Sequence, residues 1–453
     1  MQPKELTQFN DYSGQRVDFS FLGADSLLTL SDQEEDNLGE GAVLHAVKSD
    51  RRVVVGEEIT SSGGQGIIYR YDDPNFVIKL YRKEARTRFT AKKLQKMIEF
   101  HNCNYSICWP CDILETYSGV FVGFIMPLVE GKNLYSLTTN PTRVMRKYPN
   151  FNRLTQVNMI LETLQLFKFL HDINVIVGDI KLENVMFDSG FHITLIDIDS
   201  VQVEQFPCDS STPGYDAPEV ILSRGPARFA DRLPDGTFEF NRYYRDFYRT
   251  REIESFSLTV LLYRFLMNGH VPYDYQDFGK ISNDEIEYND NELCIKKDFA
   301  YGVNFNDTRD ACEKEIWSHF PSFLKEAFVN TFAYNKRYSD DEWIKLFTRY
   351  QEILMSGELQ RADRDCMNPF PESQVNYESV KFLLTEVVEK SGFAMWQAVG
   401  RIVKALGNNQ LKRKTLEISD VLKQRPEFVI DNYRFQLVYN IGVLKKVKCE
   451  YVL

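Results

Sequence analysis

Asp179, Lys181 and Asn184 fall within one short stretch, Val177-Gly178-Asp179-Ile180-Lys181-Leu182-Glu183-Asn184. A carboxylate, an ammonium and an amide this close together are weak evidence alone. Their weight comes from what flanks them, in order. Upstream, Ser61-Ser62-Gly63-Gly64-Gln65-Gly66 separates two apolar runs, and Ile67-Ile68-Tyr69 follows. Glycine removes the side chain that would block close approach, so such a hairpin can lay backbone N–H groups over phosphates. Next, Lys79 is the one charge inside the apolar run Asn75-Phe76-Val77-Ile78-Lys79-Leu80-Tyr81. Downstream, Asp197 ends the apolar arm Ile193-Thr194-Leu195-Ile196. The chemistry these residues suggest is the handling of phosphate.

Strands and helices must hold these groups. Val53-Val54-Val55 leads through Ile59 to the glycine turn, which reads as strand, turn, strand; the Lys79 run is a further strand. A helix is expected from about Thr87 to Phe100. Two strands then frame a turn and end in Val120 to Gly131. Val157, Ile160, Leu161, Leu164, Phe167 and Leu170 recur at helical spacing and predict a buried helix over Leu154 to His171. Val185-Met186-Phe187 and Ile193 to Ile196 predict a hairpin around Asp188-Ser189-Gly190. A helix is expected at Glu254 to Leu262 and another from near Asp340. The acidic cluster Asp32 to Asp36 reads as a solvated loop. Met367-Asn368-Pro369-Phe370-Pro371-Glu372 reads as a linker, because two prolines and an asparagine break helix. Tyr377 to about Leu422 is helical in character, with Trp396, Val399, Ile402, Val403 and Leu406 in one run and Lys412-Arg413-Lys414 beyond it; Phe428 to Leu453 alternates like short strands. A module binding a partner or nucleic acid and an intramolecular docking domain both fit that region, and docking is the expectation.

A chain of 453 residues that is 43% hydrophobic can bury a large core in two or three domains. A net charge of -11 and a pI near 5.3 argue against a nucleic-acid-binding surface over the whole molecule. Eight cysteines without regular spacing fit a reducing compartment. Cys103, Cys108 and Cys111 could be read as zinc ligands, but a structural zinc site needs a fourth, and Ile107, Trp109, Ile113 and Leu114 mark a buried strand there. The start of the sequence has no basic-then-apolar pattern, and no apolar run reaches membrane-spanning length. No membrane association and a cytoplasmic location are expected.

From Val53 to Leu354 the sequence resembles the protein-kinase superfamily. Asp179, Lys181 and Asn184 match the catalytic-loop pattern H-R-D-L-K-x-x-N; Gly63, Gly66 and Ile68 match G-x-G-x-x-G-x-V, with Ser61 for the first glycine. Lys79 matches the lysine of V-A-I-K, Asp197-Ile198-Asp199 stands where D-F-G is usual, and Ser211-Thr212-Pro213-Gly214-Tyr215-Asp216-Ala217-Pro218-Glu219 matches the segment ending in A-P-E. Further likeness is to a bacterial branch often found beside a von Willebrand-A protein and a metal-dependent protein phosphatase. Its tokens are Lys93-Leu94-Gln95-Lys96-Met97, Trp109-Pro110, Phe121 to Pro127, Val177-Gly178-Asp179, Asp197 to Val203, and Leu266-Met267-Asn268-Gly269 with Pro272.

The resemblance implies an α+β, bilobal fold with a mostly helical C-terminal extension: residues 1–48 as an N-terminal extension, 49–131 as small lobe, 132–354 as large lobe and 355–453 as accessory domain. It implies an ATP- and Mg2+-dependent serine/threonine protein kinase acting on a protein substrate, with a cognate phosphatase and a von Willebrand-A protein as partners. ATP would contact Ser61, Gly63, Gly64, Gly66, Ile68 and Lys79, with Met126 as gatekeeper and the Pro127 carbonyl and Val129 amide at the adenine. Asn184 and Asp197 would hold magnesium, Asp179 would accept the proton of the attacking hydroxyl, and Lys181 would neutralise the transferring phosphoryl group. Glu254 and the Arg337–Glu219 pair would be scaffold. The helix glutamate that partners the lysine in kinases has two positional candidates, Glu99 and Gln95. Asp199 either biases its loop or adds an acid near the metal. Gly178 lacks the arginine that often receives an activation-loop phosphate, so activity is expected not to depend on that phosphorylation. Two rival readings keep the fold: a nucleotide-binding or scaffolding pseudokinase, and a small-molecule kinase.

Overall fold

The computed structural model describes residues 8–22, 27–60, 65–100, 104–208, 210–223, 247–273, 283–301, 311–363, 365–370, 427–430, 433–440 and 444–451. The small lobe is built on a seven-stranded antiparallel sheet of β1 (Val43–Ala46), β2 (Arg51–Val54), β3 (Glu58–Thr60), β4 (Gly66–Tyr69), β5 (Phe76–Tyr81), β6 (Asp112–Glu115) and β7 (Phe121–Pro127). Its strand order is β2-β1-β6-β7-β5-β4-β3. Successive side chains in a strand point to opposite faces. On β5, Ile78 and Leu80 therefore enter a core with Leu44, Val53, Leu114 and Val122. Lys79 and Tyr81 share the other face, where both reach Asp199.

Two helices complete the small lobe. The expected solvated loop at 32–36 is instead a short helix, α1 (Asp32–Asp36), closed by a capping box between Ser31 and Glu34. The reason is local: a serine followed three residues on by glutamate satisfies two otherwise unpaired helix-end N–H groups. Helix α2 (Arg88–Glu99) is capped by Thr87, whose side chain accepts from the Thr90 N–H at 3.1 Å, and it buries Phe89, Leu94, Met97 and Ile98.

The large lobe contains β8 (Lys132–Asn133), α3 (Pro141–Lys147), α4 (Arg153–Asp172), β9 (Val175–Ile176), β10 (Val185–Phe187), β11 (Ile193–Leu195), β12 (Gln202–Val203), α5 (Pro218–Ser223), α6 (Arg251–Leu266), α7 (Asn283–Lys296), α8 (Ala311–Ser318), α9 (Ser322–Tyr334), α10 (Asp340–Ser356) and α11 (Glu358–Ala362). Helices α4 and α6 are apolar on most sides and lie inside the lobe, where each is nearly surrounded by protein. The β10–β11 hairpin pairs Val185 with Leu195 and Phe187 with Ile193. That pairing carries the chain from Asn184 out and back to Asp197.

The lobes extend past the expected boundaries at both ends. Residues before 49 belong to the fold: β1 is a strand of the small-lobe sheet. Phe9 is 2% exposed and stacks on Trp109 near Phe100, while its N–H donates to the Ile173 carbonyl at 3.1 Å. This segment thereby straps the large lobe to the C-terminal end of α2. At the other end, the expected linker is docked as far as Phe370. Its carbonyls at Met367, Asn368 and Pro369 accept from the Arg153 N–H, the Arg153 guanidinium and the Asn268 amide, and Phe370 is fully buried. The chain leaves helix at Ala362, before the first of these prolines, and burial of Phe370 fixes the irregular segment that follows.

Cys108 and Cys111, within a region expected to be strand, are free thiols on irregular backbone; β6 begins only at Asp112. Their thiols donate to the carbonyls of Pro127 and Trp109. Cys103 and the region expected to be helical, Tyr377 to about Leu422, lie outside the described residues. Beyond it, β13 (Glu427–Ile430), β14 (Tyr433–Asn440) and β15 (Leu444–Tyr451) form an antiparallel three-stranded sheet. Among the described residues, no helix is long and apolar enough to cross a membrane.

Candidate active site

The loop Val177–Asn184 is held from behind. The Val177 and Gly178 N–H groups donate to the two carboxylate oxygens of Glu254 on α6, at 2.8 and 2.7 Å. Glu254 is 2% exposed, so a carboxylate there needs every contact it makes. His171, at the end of α4, donates from Nε2 to Glu254 at 2.8 Å and from Nδ1 to Asp340 at 2.6 Å. Burial alone would lower the His171 pKa; the hydrogen bonds to Asp340 and Glu254 outweigh it and raise it to about 9. The imidazolium is thus part of the loop's foundation.

Gly178 has φ +74°, a left-handed conformation that suits glycine. A Cβ at this position would lie 2.1 Å from the Cys208 sulfur. Arg249, 3% exposed, sits alongside and donates to the Gly178 carbonyl at 2.7 Å and the Ser210 carbonyl at 3.2 Å. The position that carries arginine in H-R-D is thereby replaced by a glycine whose carbonyl meets an arginine from the N-terminal approach to α6. Arg249 ties the Val177–Asn184 loop directly to the chain leading to Thr212.

Asp179, Lys181 and Asn184 converge. Lys181 Nζ donates to Asp179 Oδ2 at 2.8 Å, and the Asn184 amide nitrogen donates to the Asp179 carbonyl at 3.0 Å and to Oδ2 at 3.3 Å. The Thr212 hydroxyl donates to Asp179 Oδ1 at 2.6 Å. An alcohol thus already stands at proton-accepting distance from this carboxylate, the geometry a general base needs.

Lys79 faces this loop from β5. It is 6% exposed, and its ammonium donates to Asp197 Oδ1 at 2.7 Å and to Asp199 at 2.9 and 2.8 Å. Burial alone would lower the lysine pKa; Asp199 and Asp197 outweigh it and raise it, so the group is an ammonium. Lys79 in turn holds Asp197 below the usual carboxylate range, with a smaller contribution from Lys181. Burial pushes Asp199 up. The Tyr81 hydroxyl also donates to Asp199 Oδ2. Asp197 itself has φ +58°, a left-handed conformation that aspartate tolerates better than most residues. Of the two candidates on α2, neither meets the lysine: Gln95 is exposed, and Glu99 pairs with Lys96 at 3.0 Å.

Of the other expected contacts, Ser61, Gly63 and Gly64 lie outside the described residues. Gly66 opens β4, where a Cβ would come within 2.6 Å of the Leu80 carbonyl, and Ile68 is register partner to Lys79. Met126, Pro127 and Val129 are half-buried at the end of β7 and just past it. The Pro127 carbonyl accepts the Cys108 thiol at 3.3 Å. Farther on, Arg337 makes two 2.7 Å contacts to Glu219, and the Tyr215 hydroxyl accepts the Leu182 N–H at 3.2 Å, joining the segment Ser211–Glu219 to the Val177–Asn184 loop. Tyr81, Arg249 and His171 were not singled out by sequence reasoning. Arg249 and His171 carry no motif, and Tyr81 could have been found only by noting that it shares a strand face with Lys79.

No protein-family model matches the chain. Among curated proteins it is 24% identical over 231 residues to "Protein kinase YegI" of Escherichia coli (strain K12), covering 48% of this chain and 32% of that protein. It is 26% identical over 252 residues to a "cGMP-dependent protein kinase" of Eimeria tenella, covering 54% of this chain and 21% of that one. It is 37% identical over 73 residues to "Serine/threonine-protein kinase PknG" of Mycobacterium leprae (strain TN), 16% of this chain and 9% of the other. The chain therefore spans a third or less of the length of these curated relatives. With the two-lobed α+β fold, these matches support a relation of the chain to the protein-kinase superfamily.

Proposed function

We propose that this chain is an ATP-dependent serine/threonine protein kinase. The observation that carries the reading is the Asp179 carboxylate, which accepts a hydroxyl at 2.6 Å on one oxygen and the Lys181 ammonium at 2.8 Å on the other. The remaining residues fit the polyanion and hard cation this reaction uses. The Asn184 nitrogen is engaged by Asp179, which leaves its amide oxygen as a ligand atom, and the Asp197 side chain is 43% exposed. Both are oxygen donors, the type that Mg2+ prefers. When bound, the cation would offset the charge of the phosphates. Lys79 would bind the nonreacting phosphates, Asp179 would orient the acceptor hydroxyl and take its proton, and Lys181 would lie beside the group in transfer.

Thr212, whose hydroxyl meets the same carboxylate as Lys181, favours a serine or threonine acceptor, and the Ser211–Glu219 segment, fixed by Arg337, favours a protein over a small molecule as acceptor. The observation favouring a nucleotide-binding scaffold instead is the closed pairing of Lys79 with two acids. A phosphatase and a von Willebrand-A protein are the partners we propose, from the sequence resemblance alone, and the cytoplasm is the proposed compartment.

The test is incubation of the protein with γ-labelled ATP, magnesium, a generic protein acceptor and, separately, a metabolite extract, with Lys79→Met in parallel. Label on protein serine or threonine, absent with Lys79→Met, supports the proposal. Nucleotide binding without transfer would favour the scaffold, and label found only on metabolites would favour a small-molecule kinase.

A further inference from the structure

Lys79 is a buried cation whose helix partner is missing, so its anchor must come from elsewhere. Glu99 is the single acid in α2; its side chain is 57% exposed and bound to Lys96. Asp199, in contrast, is 6% exposed and gives both of its oxygens to Lys79, at 2.9 and 2.8 Å, while the Tyr81 hydroxyl secures one of them from the same strand face. A charge this deeply buried requires a fixed counter-charge, because desolvation otherwise makes it strongly unfavourable. Asp197 could serve alone, but its side chain is 43% exposed, against 3% for that of Asp199.

We propose that Asp199 is the positioning residue for Lys79, taking the role of the helix glutamate and leaving Asp197 available to a divalent cation. This rests on the kinase reading above. Two carboxylates on one ammonium leave an excess negative charge; a cation drawn to Asp197 removes that excess while Lys79 keeps its partner. With Asp199 alone on the lysine, the placement of Lys79 does not depend on a swing of α2. That helix is instead fixed by the Phe9 strap and by the Trp109 indole, which donates to the Met97 carbonyl at 2.9 Å. Where helix movement gates the lysine in kinases, this site has its lysine partner two residues from the metal-binding acid.

The test is calorimetric binding of ADP over a range of magnesium concentrations, with the full chain as wild type, Asp199→Asn, Tyr81→Phe, and the α2 variants Gln95→Ala and Glu99→Gln. Asp199→Asn leaves Asp197 as the only charged partner of Lys79, so magnesium must compete for it. The expected result is about tenfold weaker Mg-ADP binding with a matching rise in the magnesium needed for half-maximal binding. Tyr81→Phe should shift both in the same direction by about threefold. The α2 variants should bind as wild type does. Unchanged affinity and magnesium dependence in Asp199→Asn would overturn the proposal, as would equal weakening in Glu99→Gln or Gln95→Ala. Should Asp199→Asn lose its melting transition, Tyr81→Phe decides: the stated shift supports, no shift overturns. Wild-type protein that binds no Mg-ADP would overturn the kinase reading and this inference with it, whereas normal wild-type binding beside an unaffected Asp199→Asn would overturn the inference alone.

Discussion

The two halves of the site are held in opposite ways. On the large-lobe side, the Val177–Asn184 loop is fixed from behind by buried groups: Glu254 on the loop amides, His171 between Glu254 and Asp340, and Arg249 on the Gly178 carbonyl. On the small-lobe side, among the described residues, no small-lobe carboxylate pairs with Lys79. Its carboxylates come from across the cleft, so the two lobes are joined through the site itself. The difference teaches where each half is vulnerable. The large-lobe half fails when its foundation is removed, and the small-lobe half fails when the opposing acids are removed.

The largest effect should come from Glu254→Ala. It orphans two buried amides and leaves the His171 imidazolium with Asp340 alone, which should cost about 5 kcal/mol and be read as a steep fall in the midpoint of urea unfolding. Gly178→Arg, which restores the usual kinase residue, should cost about 4 kcal/mol, because φ is +74° and Cys208 fills the space. A stable, active Gly178→Arg protein would break the picture of a loop packed from behind.

His171 gives the pH dependence. Its folded pKa, about 9, lies above the ordinary value of 6.5, so its contribution is fully present below about pH 6.5 and is lost as pH rises through about 9. The expected loss is about 3 kcal/mol, measured as denaturant stability at pH 6.5 against pH 10, and His171→Gln should flatten that difference. The Arg337–Glu219 pair is half-open to water on the glutamate side, so Arg337→Ala should cost only about 1 kcal/mol in the same measurement. Smallest of all is the effect of phosphatase treatment: because Arg249 already ties Gly178 to Ser210, the rate of transfer should be unchanged.

What could be read from sequence was what spacing encodes. Asp179, Lys181 and Asn184 meet because six residues of loop bring them together, and β10–β11 delivers Asp197 by a turn visible in Asp188-Ser189-Gly190. Glu219 and Arg337 are far apart in sequence, yet each sits in a recognisable segment, and they pair. Contacts without a local signal were not legible. Lys79 and Asp199 are 120 residues apart, and only tertiary packing shows that the lysine turns to Asp199 and away from α2. Phe9 could not be placed because its strap depends on a pocket formed by Phe100 and Trp109. The helix at 32–36 is a different case: its capping box was present in the letters, and the acidic run around it suggested solvent.

The most direct test of the account is the rate of phosphoryl transfer from γ-labelled ATP to protein by Asp179→Asn beside wild type, at saturating nucleotide, with the melting temperature and Mg-ADP affinity of both recorded. Loss of the base should lower transfer about a thousandfold, while binding and melting stay as in wild type. Transfer by Asp179→Asn at the wild-type rate would contradict it.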